Sequence, residues 1–120
     1  MAYNDMEVMI YRILRYLDIC LKSGKAPTKE DILRDCQLYK LSGSYADALL
    51  EELSDDGYVK GISSVSTKDG DIVLAHDNVR ITLAGRNYLT DNSHMQEIKT
   101  MLGKAFEMAI EAAVKALLPN

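Results

Sequence analysis

A change of period at Gly57 constrains this chain more than any other feature of its sequence. Before it, apolar residues recur at steps of three and four, the spacing of one buried helical face; after it, they alternate as in strands. Met6, Ile10, Ile13, Leu14, Leu17 and Leu21 predict a first helix from Asp5 to Leu21, opened by Asn4 or Asp5 and stopped by Ser23-Gly24. Thr28 caps a shorter second helix that turns Ile32 and Leu33 inward and fades near Cys36, with Glu30 and Asp31 at the favourable end of its dipole. Ser44 is the expected cap of a third, running to Asp56 with Ala46, Leu49, Leu50 and Leu53 on its inner side.

Beyond Gly57, Tyr58 to Ile62 has strand composition, Lys68-Asp69-Gly70-Asp71 is a turn, and Ile72-Val73-Leu74 is β-rich again. Val79, Ile81 and Leu83 alternate with Arg80 and Thr82, which predicts a last short strand with one buried face. Thr82 then caps a fourth helix carrying Leu83, Tyr88 and Leu89, closed by Thr90-Asp91-Asn92. Ser93 and Gln96 have capping-box spacing and open a final helix expected to reach about Leu118, before Pro119. The expected fold is mainly α with a small β-hairpin or sheet, an α+β class. It divides into a winged helix-turn-helix over residues 1–92 and an added long C-terminal helix over residues 93–120.

Three strings sharpen that expectation. LLEELSDDGYVKGI, from Leu49 to Ile62, looks like a third helix running into the first strand of a wing, and ITLAGRNYL, from Ile81 to Leu89, looks like the exit from one. Together with DNSHMQEIKTMLG, from Asp91 to Gly103, they resemble the YjcQ family, small winged-helix proteins of Firmicutes bacteria and their phages and prophages. The most specific part is the pattern of Thr82, Gly85, Tyr88 and Leu89 followed by Asn92-Ser93. The resemblance runs from the first helix to about Gly103 and implies a fold and a phage or prophage context, with no catalytic residues to carry over. It stops at the alanine-rich tail, so the oligomeric habits of relatives do not transfer.

In DNA-binding proteins of this fold class the third helix enters the major groove, and cations neutralise phosphates. Here that helix carries Asp47, Glu51, Glu52, Asp55 and Asp56 and no Lys or Arg, in a chain of formal net charge -4. DNA contact is therefore expected only from the front of the helix and its flanks: Lys40, Ser42, Ser44 and Tyr45 toward bases or phosphates, and Lys29, Arg34, Lys60 and Lys68 toward the backbone. The expected function is that of a DNA-binding transcriptional regulator acting as a dimer; the alternative is a protein-binding adaptor that offers the acidic helix to a basic partner.

The tail has a narrow polar stripe of Lys104, Glu107, Glu111 and Lys115, and is apolar over the remaining circumference. A helix so apolar needs cover on more than one side. A homodimer is therefore expected, with Met95, Ile98, Leu102, Phe106, Ile110, Val114 and Leu117 at its interface. The stretch from Ala105 to Leu118 is interrupted by charge and falls short of the about 20 residues that span a bilayer. MAYNDMEVMIYR has no apolar run of the secretory kind, so a cytoplasmic, non-membrane location is expected.

Catalytic and cofactor chemistry find no support in the residues. Cys20 and Cys36 have no ligand or redox spacing and are expected as buried packing; His76 and His94 have no partner at motif spacing and are expected at the surface. Asp69-Gly70-Asp71 lacks the alternating ligands and closing Glu of a calcium loop, and no glycine pattern cradles a phosphate. A non-enzymatic protein without cofactor or metal is the expectation.

Overall fold

The computed structural model describes residues 5–68 and 70–117, with backbone alone for 5, 64–67 and 70–77. Five helices and one two-stranded antiparallel sheet follow in the order α1 (Asp5–Ser23), α2 (Lys29–Asp35), a single 3-10 turn (Leu38–Lys40), α3 (Gly43–Asp55), β1 (Val59–Thr67), β2 (Gly70–Ile81), α4 (Leu83–Asp91) and α5 (Ser93–Lys115). The class is the mainly helical α+β expected. Expectations for the side chains of His76 and of Asp69 to Asp71 lie outside the described residues.

Local chemistry explains most of the boundaries. Thr28 accepts from the amide of Asp31, whose carboxylate accepts from the amide of Thr28 in return, a complete capping box at the start of α2. Thr82 caps α4 by accepting from the amide of Gly85, and its hydroxyl also donates to the carbonyl of Gly57, tying the end of the sheet to the end of α3. Two expected caps move. Ser42 rather than Ser44 caps α3, accepting from the Tyr45 amide, because the extended backbone falls on Ser42. Asn92 rather than Ser93 caps α5, accepting from the Met95 amide, while Gln96 donates to the carbonyl of Leu89 and braces the α4–α5 corner.

The hairpin is longer and simpler than its sequence pattern. Val59 pairs with Ile81 and Thr67 with Gly70, so the strand expected at its end is the last part of β2. A break in register falls between Lys60 and Ile62. Leu83, expected on the buried face of a strand, is 73% exposed as the first residue of α4. The Thr82 cap turns the chain there, and the two-residue alternation no longer applies. Gly85 allows the corner to close: a Cβ at this position would overlap the carbonyl of Tyr58. Above it the rings of Tyr58 and Tyr88 stack with centroids 4.7 Å apart.

One core serves all these elements. It gathers Ile13, Leu14 and Leu17 of α1, Leu50 and Leu53 of α3, Val59, Val79 and Ile81 of the sheet, and Ile98, Ile110 and Val114 of α5. Cys20 and Cys36 are buried in it as expected, and Tyr11 and Tyr16 join it where the sequence pattern had given them no place. Burial pushes the Cys20 thiol up to about 12 and raises that of Cys36, so both stay protonated and unreactive at neutral pH.

The expected single long C-terminal helix is two helical segments meeting at Gly103, whose φ of 74° and ψ of -170° are open to glycine alone. After this corner the tail lies along α1, with Phe106 against the ring of Tyr11 at 5.9 Å. Glu107, expected on a solvated stripe, faces α1 and takes hydrogen bonds from the Tyr11 hydroxyl and the Arg15 guanidinium. Five residues expected to meet a second copy are buried in this chain: Met95, Ile98, Ile110, Val114 and Leu117. Leu102 and Phe106 are partly buried against the same core. The corner at Gly103 supplies a covering surface that one straight helix could not have reached.

Candidate functional site

The front of α3 and its flanks form the surface on which a nucleic-acid or protein partner was expected. On α3 the inner set is the expected one, Ala46, Leu49, Leu50 and Leu53. The outer side carries Ser44, Ala48, Glu52 and Asp55 in solvent, with Asp47 and Glu51 half-buried at its edges. No base lies among them. The acidic outer face inferred from spacing is therefore present in three dimensions.

The expected DNA-contacting cations divide into two groups. Lys29 sits 2.8 Å from Asp47, joining α2 to α3 by an ion pair in which both side chains are about three-quarters buried. Arg34 is held 2.8 Å from Asp35 and 3.1 Å from Asp31, and the hydrogen bond to Asp35 raises its pKa further above the ordinary arginine value. Both are turned toward carboxylates of their own chain. Asp35 also accepts from the buried Tyr16 hydroxyl at 2.7 Å, which anchors α2 to the core; burial first and this hydrogen bond second raise the pKa of that phenol. Lys40, Lys60 and Lys68 stand exposed on the 3-10 turn, on β1 and at the hairpin turn. Ser42 is engaged as a cap, Ser44 is exposed and Tyr45 is half-buried.

Arg80 belongs with the exposed cations. It lies opposite Lys60 in the sheet register and is exposed, so two positive charges share one cross-strand position at the base of the hairpin. Strand alternation had put Arg80 on the polar side, but only the register shows its neighbour.

A second charged assembly sits on α1 and α4 and was not read from the sequence. Asp18, 5% exposed, lies among Arg15 at 3.1 Å, Lys22 at 3.3 Å and Arg86 at 3.0 Å. The Arg86 contact lacks hydrogen-bond alignment, so Asp18 Oδ1 is compensated by charge without a donated hydrogen. The Arg15, Asp18 and Lys22 spacing was the only sequence signal, since it puts one acid and two bases on one helical face. Arg86 arrives from another element, which no local pattern reveals.

The model of the YjcQ protein family matches residues 11–106. The chain belongs to the YjcQ family. The matched span begins inside α1 and ends three residues after the Gly103 corner, so most of the tail of this YjcQ chain lies beyond it. Neither a search of the curated proteins nor a search of the solved structures gives a match. Among the described residues of this YjcQ-family protein, no helix is long and apolar enough to cross a membrane.

Proposed function

We propose that this YjcQ-family chain is a non-enzymatic interaction module, a winged-helix scaffold whose acidic α3 docks on a basic surface of a protein partner, in the phage or prophage setting that the family resemblance implies. The observation that carries the reading is the pairing of Lys29 with Asp47: the cation nearest α3 is already neutralised, and Glu51, Glu52 and Asp55 remain to set the sign of the face. A phosphate backbone approaching this face meets carboxylates, each of which repels it instead of releasing a counterion. A lysine- or arginine-rich protein surface meets complementary charge, which favours fast and specific encounter. A second copy has no part in the reading, because most of the side chains expected to bind one lie in the chain's own core.

A second reading rests on the Lys60 and Arg80 pair. With Lys40 and Lys68 these cations could track a duplex backbone along the hairpin, making the protein a DNA-binding regulator of transcription.

The test uses the charge of α3. Affinity capture from an infected or lysogenic host, with nuclease present, is expected to recover a protein partner, and Glu52→Lys with Asp55→Lys is expected to abolish its recovery without changing the melting temperature. Anisotropy titration with labelled duplex DNA is expected to show no salt-steep binding. Salt-steep binding weakened by Lys40→Glu or Lys60→Glu, with the charge-reversed α3 capturing as before, would replace the adaptor with the regulator.

A further inference from the structure

We propose that the tail beyond Gly103 is an exchangeable arm and that the partner it fits is a second copy of this chain. With α5 straightened at Gly103, two chains trade tails, and each tail covers α1 of the other.

The hinge is the first argument. Within Ser93–Lys115, Gly103 alone departs from helical φ and ψ, so rotation at one residue turns the corner into continuous helix. A Cβ placed there would meet nothing within 4 Å, so nothing packs into the corner on that side. A glycine in the middle of a straight helix is disfavoured against alanine by only about a factor of five. Once straight, the stretch from Lys104 to Lys115 projects about 18 Å from the body to which Met95 and Ile98 hold the start of α5. Ile110, Val114 and Leu117 then need a surface, and the α1 vacated on a second chain is the one they fit.

The second argument is that the polar contacts docking the tail can be made equally well between chains. Glu107 accepts from the Tyr11 hydroxyl at 3.1 Å and lies 3.0 Å from the Arg15 guanidinium. The carbonyl of Leu117 accepts from the Lys25 ammonium at 2.7 Å. Tyr11 and Arg15 belong to α1, and Lys25 follows directly after it, so one continuous stretch of chain supplies all three donors. An exchange between identical copies therefore keeps every one of these contacts, which is what makes swapping a low-cost route to a dimer. The family match ends at residue 106, which leaves most of the arm outside the matched body.

Gly103→Ala biases the exchange, because alanine resists the corner and favours the straight helix. Its dilute monomer carries the backbone strain, whereas a swapped dimer straightens two hinges at once. Sedimentation equilibrium over a range of chain concentrations is therefore expected to show a dimerisation constant about a thousandfold above the parent's. Charge complementation in that background then reads the exchange itself. Arg15→Glu in one chain and Glu107→Arg in another each set like charges across the contact of α1 with the tail, in the monomer and in either homodimer. In a swapped mixed dimer one of the two contacts is native and the other pairs the substituted residues with opposite charge. The contact of Arg15 with Asp18 lies within α1 and is lost equally in every form. Native mass spectrometry of isotope-distinguished chains is expected to find the mixed dimer well above its statistical share. Equal dimerisation constants for the parent and Gly103→Ala, or mixed dimers at no more than the statistical share, would overturn the proposal. If Gly103→Ala does not fold, the same complementation is read in the parent background after refolding at high chain concentration, with the same two outcomes for the mixed dimer.

Discussion

α3 and the part of α5 beyond Gly103 are helices of similar length that separate inside from outside by different means. In α3, polarity divides the faces: Ala46, Leu49, Leu50 and Leu53 are buried, and Glu52 and Asp55 are in solvent. In the tail, size divides them. Ile110, Val114 and Leu117 are buried against α1 and its neighbours, while Ala105, Ala109, Ala112, Ala116 and the 65% exposed Met108 face outward. An alanine methyl exposes little area, so leaving four of them wet costs far less than leaving four leucines. An apolar circumference counted by residues suggested that a second chain was needed; weighted by area, the large aliphatic side chains Ile110, Val114 and Leu117 are already covered within the chain.

Substitution at Ile110 tests that contrast with the largest effect. Ile110→Ala is expected to cost about 2–5 kcal/mol in urea unfolding, the range for truncating a large aliphatic side chain in a packed core. Ala112→Glu, two residues away on the outer side, is expected to stay within about 0.5 kcal/mol. Both variants should sediment like the parent chain. If Ala112→Glu halves the sedimenting mass, the tail's outer face meets a second copy after all; if Ile110→Ala leaves stability untouched, its inner face is not part of the core.

The corner at Gly103 is the next most sensitive point. Its φ and ψ lie in a region that a side chain makes costly, so Gly103→Ala is expected to lose about 1–3 kcal/mol even though a Cβ there would meet nothing within 4 Å. Since no clash is involved, the loss isolates backbone strain. A variant as stable as the parent would mean that the two segments of α5 join without a corner, and the tail's packing along α1 would go with it.

Legibility in the sequence followed how local each cause was. The helices and their inner faces are visible because a single period decides them, as at Leu49, Leu50 and Leu53. The Thr28 and Thr82 caps are visible for the same reason, since donor and acceptor lie three residues apart. Ser42 and Asn92 displaced their neighbours as caps because a cap is chosen by which residue holds extended backbone, a choice made by the whole loop. The Gly103 corner was hidden by its surroundings: a lone glycine inside a helical pattern is tolerated at a cost of about 1 kcal/mol against alanine, so the pattern on either side outweighs it. Of the expected contact surface, the acid of α3 was legible and its partner Lys29 was not, because that ion pair joins two helices. The Asp18 assembly needed Arg86 from a helix far along the chain, beyond the reach of any spacing argument.

The smallest expected effect concerns the other end of α5, where the comparison turns on charge. His94 Nδ1 lies 2.6 Å from Glu7 Oε2, linking the first turn of α5 to the start of α1. The hydrogen bond to Glu7 raises the imidazole pKa above 6.5, its attraction and that of Glu97 add to this, and slight desolvation opposes it. A raised pKa means that the folded state binds the proton more tightly than the unfolded chain. The stabilisation is therefore complete below about 6.5, the unfolded value, and disappears as pH rises through the folded one. With His94 exposed, salt should weaken the link as well. Imidazole shifts followed between about pH 5 and 8 are expected to titrate above 6.5 in the parent and near it in Glu7→Gln. Equal titration in the two proteins would show that Glu7 does not hold this end of α5, leaving its docking to the burial of Met95 and Ile98 alone.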